Sequence, residues 1–117
     1  MQYLLMLYVN QAGWSKLTPA EQEQGVAAYT AYTSALTKAG VLKGANRLQA
    51  STAATTVRVA DGKAQVLDGP YADSKEQLGG YYLIDVPDLD AAISWAARCP
   101  AASYGVVEVR PIWAMPA

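Results

Sequence analysis

The chain contains no histidine, and that absence removes more chemistry than any residue present supplies. A Ser-His-Asp or Cys-His nucleophile, a histidine metal cluster and a haem with histidine ligation cannot be built from this chain alone. Cysteine is nearly absent as well. Cys99 stands alone, so no internal disulfide can form and a reducing cytoplasm is the expected compartment. Positive charge is not in surplus either. Nine Lys and Arg face ten Asp and Glu, for a formal net charge of −1 and a pI near 5.2, and no basic run offers the footprint that nucleic acid needs. Long hydrophobic runs are also missing. Tyr3 to Val9 is far shorter than the ~20 residues of a membrane helix and lacks the flanks of a signal peptide, so it reads as a strand. Neither nucleic acid nor a membrane is an expected partner, and no metal or organic cofactor is expected.

What is present fits one domain spanning residues 1–117, large enough to bury roughly two-thirds of its unfolded surface. Tyr3-Leu4-Leu5-Met6-Leu7-Tyr8-Val9 is apolar on both alternating faces, so both faces call for cover. Thr18-Pro19-Ala20-Glu21 combines a capping residue, a first-turn Pro and a Glu three residues on, which predicts a helix start. Val26, Tyr29, Thr33, Leu36 and Ala39 supply its stripe, and Gly40 supplies its stop. Residues 41 to 54 are weakly patterned and read as an irregular strand with a loop. Asp61-Gly62 between Thr55–Val59 and Gln65–Leu67 predicts a hairpin ending at Asp68. A strand from Tyr81 to Val86 follows, then a helix capped by Asp88 with Leu89, Ala92, Ile93, Ala96 and Ala97 on one stripe, then a strand from Tyr104 to Trp113. Pro111 makes that last strand an edge or its end.

Most of the candidate chemistry lies in Asp68-Gly69-Pro70-Tyr71-Ala72-Asp73-Ser74-Lys75-Glu76-Gln77 and in the final strand. Alternation places Glu108 and Arg110 on one face beside Val106 and Ile112, two charges in a partly desolvated setting. Glu108 or Asp68 could pair with Arg110 simply to fix the structure. Alternatively Arg110 and Lys75 clamp an anionic or carbonyl-bearing ligand while Asp68 transfers protons, with Tyr71 and Glu76 beside them. Asp68 could equally serve as an Asx-turn residue. Cys99 falls at the C-terminal end of the second helix, where the dipole disfavours a thiolate. Gly79-Gly80 precedes a strand, whereas a phosphate cradle needs a helix after its glycines.

The segment DGPYADSKEQLGGYYLIDV, with EVRPIW near the C-terminus, MQYLLMLYV at the start and LTPAEQ opening the helix, resembles the DGPF proteins, a branch of the YCII-related family. The family's Phe is Tyr71 here, which adds a hydroxyl that needs water or a partner. The resemblance implies an α+β fold, ferredoxin-like βαββαβ with an inserted β-hairpin, paired into a dimeric α/β barrel. Two helices cover one sheet face, and a homodimer would cover the other. YCII-like relatives are associated with a His and Asp pair, which this chain cannot form. The resemblance admits two functions: metal-free, lyase-like acid–base chemistry on a small polar or anionic metabolite bound at the sheet face, or a non-catalytic binding or accessory role linked to sigma-factor signalling.

Overall fold

The computed structural model describes residues 1–115. Strand β1 (Gln2–Val9) is central, and Tyr3, Leu5 and Leu7 on one of its faces are buried. After a short 3-10 segment (Gln11–Lys16) comes helix α1 (Pro19–Lys38). Its capping box is formed in both directions: the Glu21 amide donates to Thr18 Oγ1 at 3.2 Å, and the Thr18 amide donates to Glu21 Oε1 at 2.9 Å. These two bonds satisfy amides that the helix geometry would otherwise orphan. Gly40, at φ 74°, ends the helix.

Strand β2 (Leu42–Arg47) is followed by the pair β3 (Thr55–Ala60) and β4 (Lys63–Asp68), and then by β5 (Gln77–Asp85). The turn between β3 and β4 holds Asp61 at φ 52° and Gly62 at φ 73°, the left-handed pair that a tight hairpin turn requires. Helix α2 (Leu89–Arg98) starts at Asp88, whose Oδ1 accepts from the Ala91 amide at 2.9 Å. The short helix α3 (Ala101–Tyr104) leads into β6 (Val106–Pro111).

The main sheet has the order β2-β5-β1-β6, with every neighbouring pair antiparallel, while β3 and β4 form a separate two-stranded sheet. Both long helices lie on one face of the main sheet. Leu5 and Ile84 meet Leu36 of α1 and Cys99 at the end of α2, and these four side chains are fully enclosed. Tyr32 packs edge-on against Tyr82 with ring centres 5.1 Å apart, and its hydroxyl donates to the Trp95 carbonyl at 2.7 Å, so an aromatic pivot ties α1, α2 and the sheet together.

Several boundaries differ from those the sequence suggests. β5 starts at Gln77 rather than Tyr81 and includes Gly79-Gly80, with a shift of its register against β1 at Gly79. The reason is tertiary: a Cβ on Gly80 would stand 2.9 Å from the Asn46 carbonyl oxygen of β2, so only glycine lets the strands pair there. On α1 the buried positions are Tyr32 and Leu36, whereas Val26 faces solvent. On α2 they are Ala92 and Ala96, with Leu89 and Ile93 about half exposed, so the buried stripe runs through the small residues. Tyr104 belongs to α3, and Trp113 lies beyond the end of β6. Among the described residues no helix is long and apolar enough to cross a membrane.

Candidate functional site

Cross-strand pairing defines the sheet face that the helices leave uncovered. Directly opposed residues share a face, and Met6 pairs with Tyr81 on one side and Glu108 on the other, while Leu4 pairs with Leu83 and Arg110. Tyr8 stands opposite Val106. Leu4, Met6, Tyr8, Tyr81 and Leu83 are all half-buried in the chain, neither enclosed nor free. The expectation that both faces of β1 are covered is therefore met within one chain on the helix side alone.

At the edge of this apolar floor the Met1 ammonium pairs with Asp85 at 2.8 Å, and on the floor itself Glu108 pairs with Arg110. Arg110 Nη2 lies 2.5 Å from Glu108 Oε2, with the Glu108 side chain 39 % exposed and that of Arg110 66 % exposed. Glu108 Oε2 is shielded from solvent and accepts no hydrogen bond. The guanidinium therefore neutralises the carboxylate and covers it while keeping donors free for a second acceptor. Asn46, at the far side of the same face, donates to the Tyr81 hydroxyl at 2.7 Å. Sequence reasoning passed over Asn46 and Tyr81. The alternation of Tyr81 and Leu83 against buried Tyr82 and Ile84 is the signal that places them on the open face.

Asp68 lies elsewhere. It closes the base of the β3–β4 hairpin opposite Thr55. Beyond it the chain turns at Gly69, whose amide donates to the Ala54 carbonyl at 2.7 Å and whose carbonyl accepts from Thr56 Oγ1 at 2.8 Å. A shallow hollow of about 250 Å³ collects Thr56, Arg58, Gln65 and Leu67 together with Asp68 and Tyr71. Tyr71 is 81 % exposed and Lys75 is exposed, while Glu76 is half-buried. Among the described residues neither Asp68, Lys75 nor Glu76 forms an ion pair. Within one chain, then, Glu108 and Arg110 come together, Asp68 and Tyr71 come together, and the two groups occupy different sheets. A larger hollow of about 570 Å³ lies between Met1, Gln2 and the segment Pro111 to Ala114, and no ionisable side chain lines it. Its size alone does not make it the better site, because it lacks groups to orient a polar ligand.

The buried titratable groups belong to the core. Burial pushes the Tyr29, Tyr32 and Tyr82 phenols up, and the contact between the Tyr29 and Tyr104 hydroxyls raises Tyr29 further. Burial also raises the Cys99 thiol, opposed by a weaker hydrogen bond from the Ala101 backbone. Cys99 is poorly suited to nucleophilic chemistry, as its position implies, but burial is the principal cause. No group of three or more His, Cys, Asp or Glu among the described residues is placed to hold a metal ion.

An antiparallel sheet with helices on one face, and a largely apolar opposite face bearing the Glu108–Arg110 pair, defines a small α+β protein with an open sheet surface. The YCII-related domain model matches residues 1–116, and the chain belongs to that family. It is 38 % identical over 114 residues to an uncharacterized protein of Rhizobium meliloti (strain 1021), covering 96 % of this chain and 92 % of that one. Among solved structures it is similar in fold to a 5-chloro-2-hydroxyhydroquinone dehydrochlorinase from Burkholderia phenoliruptrix AC1100, in complex with 2,5-dihydroxybenzoquinone. The TM-score is 0.55 at 15 % identity, covering 97 % of this chain and 94 % of the other.

Proposed function

We propose that two copies of the chain bring their open sheet faces together around a cleft that binds a small polar or anionic metabolite. The observation that carries this is the face itself: an apolar floor with one arginine whose guanidinium still has donors to give. Surface area supports the pairing. The chain exposes 8211 Å², whereas a compact monomer of its mass exposes about 6,100 Å². Its radius of gyration is 16.3 Å, against about 13 Å for a compact domain of this length. The strand order supports a ferredoxin-like reading with β3–β4 inserted, and the Asp68-Gly69-Pro70-Tyr71 segment supports assignment to the DGPF branch. The lone thiol suits a reducing cytoplasm.

In this reading Arg110 clamps the ligand's negative oxygen, and Glu108 holds the guanidinium in place. Asp68 is the proton-transfer group, with Tyr71, Lys75 and Glu76 at the rim, and the second copy carries this loop over the face. The chemistry that such a cleft supports without metal is removal of a proton next to a carbonyl, with the arginine stabilising the oxyanion that forms. The dehydrochlorinase of similar fold, with its bound dihydroxybenzoquinone, suggests the ligand class: a planar, oxygen-rich, acidic ring compound. A second reading, binding without turnover, is favoured by the absence of histidine and by the distance in topology between Asp68 and Arg110 within one chain.

The test is a thermal-shift titration with 2,5-dihydroxybenzoquinone and a panel of aromatic and aliphatic carboxylates. A ligand at 100 times its Kd adds about 2.7 kcal/mol to stability, a shift of several degrees. Wild type should shift and Arg110→Ala should not. Binding followed by consumption of the ligand supports the lyase-like reading; binding without consumption supports the accessory one. No shift with any acidic compound, or equal shifts in wild type and Arg110→Ala, would remove the site.

A further inference from the structure

The β3–β4 hairpin buries almost nothing against its own chain. Val57, Val59, Val66 and Leu67 are between 60 % and 68 % exposed. Val57 pairs with Val66 and Val59 with Ala64, so Val57, Val59, Ala64 and Val66 form an apolar surface on one face, with the Thr55–Asp68 pair at its base. Thr56 pairs with Leu67 and Arg58 with Gln65, which gives the opposite face its polar character. A two-stranded hairpin with both faces in water is marginal at best, and fixing each residue's backbone costs about 1–2 kcal/mol. A hairpin of this composition stays folded by docking its apolar face on something.

We infer that the hairpin is an arm whose valine face seats on a second copy of this chain, making one continuous interface with the open sheet face. The inference rests on the pairing proposed above and extends it to a second surface. The area argument selects the occupant. The surplus of about 2,000 Å² per chain over a compact monomer matches an obligate dimer, which buries roughly 2,000–5,000 Å² in total, rather than a small transient contact. Position agrees. The base of the arm is pinned to the end of the main sheet, where Gln11 Oε1 accepts from the Ser51 amide at 2.9 Å and the Gln11 amide donates to Gln77 Oε1 at 3.1 Å. The arm therefore springs from the border of the open face. Charge on its docking face is confined to Asp68, paired with Thr55 at the base of the arm, and the valine surface beyond it offers nothing for a charged partner to pair with. With the arm seated on the partner, the loop from Asp68 to Gln77 is held beside the shared cleft.

The test compares matched variants by sedimentation equilibrium. Val57→Glu with Val66→Lys places an opposite-charge pair across the strands, which preserves hairpin pairing while spoiling the apolar face. Thr56→Glu with Leu67→Lys makes the same change on the other face. In a third variant an Asn-Gly turn joins Thr55 directly to Asp68, removing the arm at a paired position. Wild type should be a dimer. The valine-face and armless variants should dimerise at least 10-fold more weakly, and the Thr56/Leu67 variant should stay within 3-fold of wild type. Met6→Lys on the sheet face separates the two ideas. If Met6→Lys dissociates while the valine-face and armless variants pair like wild type, the arm inference fails and the sheet-face reading stands. A wild-type chain that is monomeric would overturn both.

Discussion

Replacing Arg110 with alanine distinguishes a solvated ion pair from one enclosed by a second copy. In the single chain, Glu108 and Arg110 are 39 % and 66 % exposed, and a pair in that setting is worth about 0–1 kcal/mol. If two sheet faces close over it, removing the arginine strands a carboxylate among Met6, Tyr8 and Val106, and the cost rises to roughly 3–5 kcal/mol. Urea midpoints at protein concentrations well above the dimerisation constant measure the difference. Glu108→Gln combined with Arg110→Ala should recover much of the loss, since no charge is then left unpaired, and a double-mutant cycle gives the coupling. A loss under 1 kcal/mol for Arg110→Ala in the dimer would refute the reasoning, because it would mean that the pair stays in water.

Gly80→Ala should destabilise by about 1–3 kcal/mol, since the new Cβ meets the Asn46 carbonyl at 2.9 Å and β2 must shift away; denaturant unfolding with intact helical dichroism checks it. Raising the pH should weaken the fold from about pH 9 upward. Cys99, Tyr29, Tyr32 and Tyr82 keep their protons to higher pH when folded than when unfolded, so the stability they favour is full below their ordinary values of 9.0 and 10.0 and is lost above them. Absorbance at the tyrosinate band should show these three phenols ionising only together with unfolding, and a smooth titration of all tyrosines in the folded protein would contradict the burial argument.

The elements written in local chemistry were legible in the sequence. The Thr18-to-Glu21 capping box, the Gly40 stop, the Asp61-Gly62 turn and the Asp88 cap each depend on residues a few positions apart, and each is found where its pattern lies. The start of β5 was not legible, because Gly79-Gly80 reads as a loop until β2 is known to pass within contact. The buried stripe of α2 was not legible either: Leu89 and Ile93 are the larger apolar residues, but the side chains turned into the core are Ala92 and Ala96, a choice set by how the helix docks and not by residue size. At the site, alternation along β6 correctly grouped Glu108 with Arg110, a relation of two residues. The relation between Asp68 and Arg110 spans two sheets and depends on how elements far apart in the chain assemble, which no local pattern encodes.

In a two-chain protein the face bearing Leu4, Met6, Tyr81 and Leu83 becomes an interior surface. Sedimentation equilibrium of the unmodified chain from low micromolar to tens of micromolar concentration tests it most directly. A mass of twice the 12.4 kDa chain across that range is the predicted result. A single species of 12.4 kDa throughout would contradict it, and would leave an apolar sheet face and the Glu108–Arg110 pair standing in water.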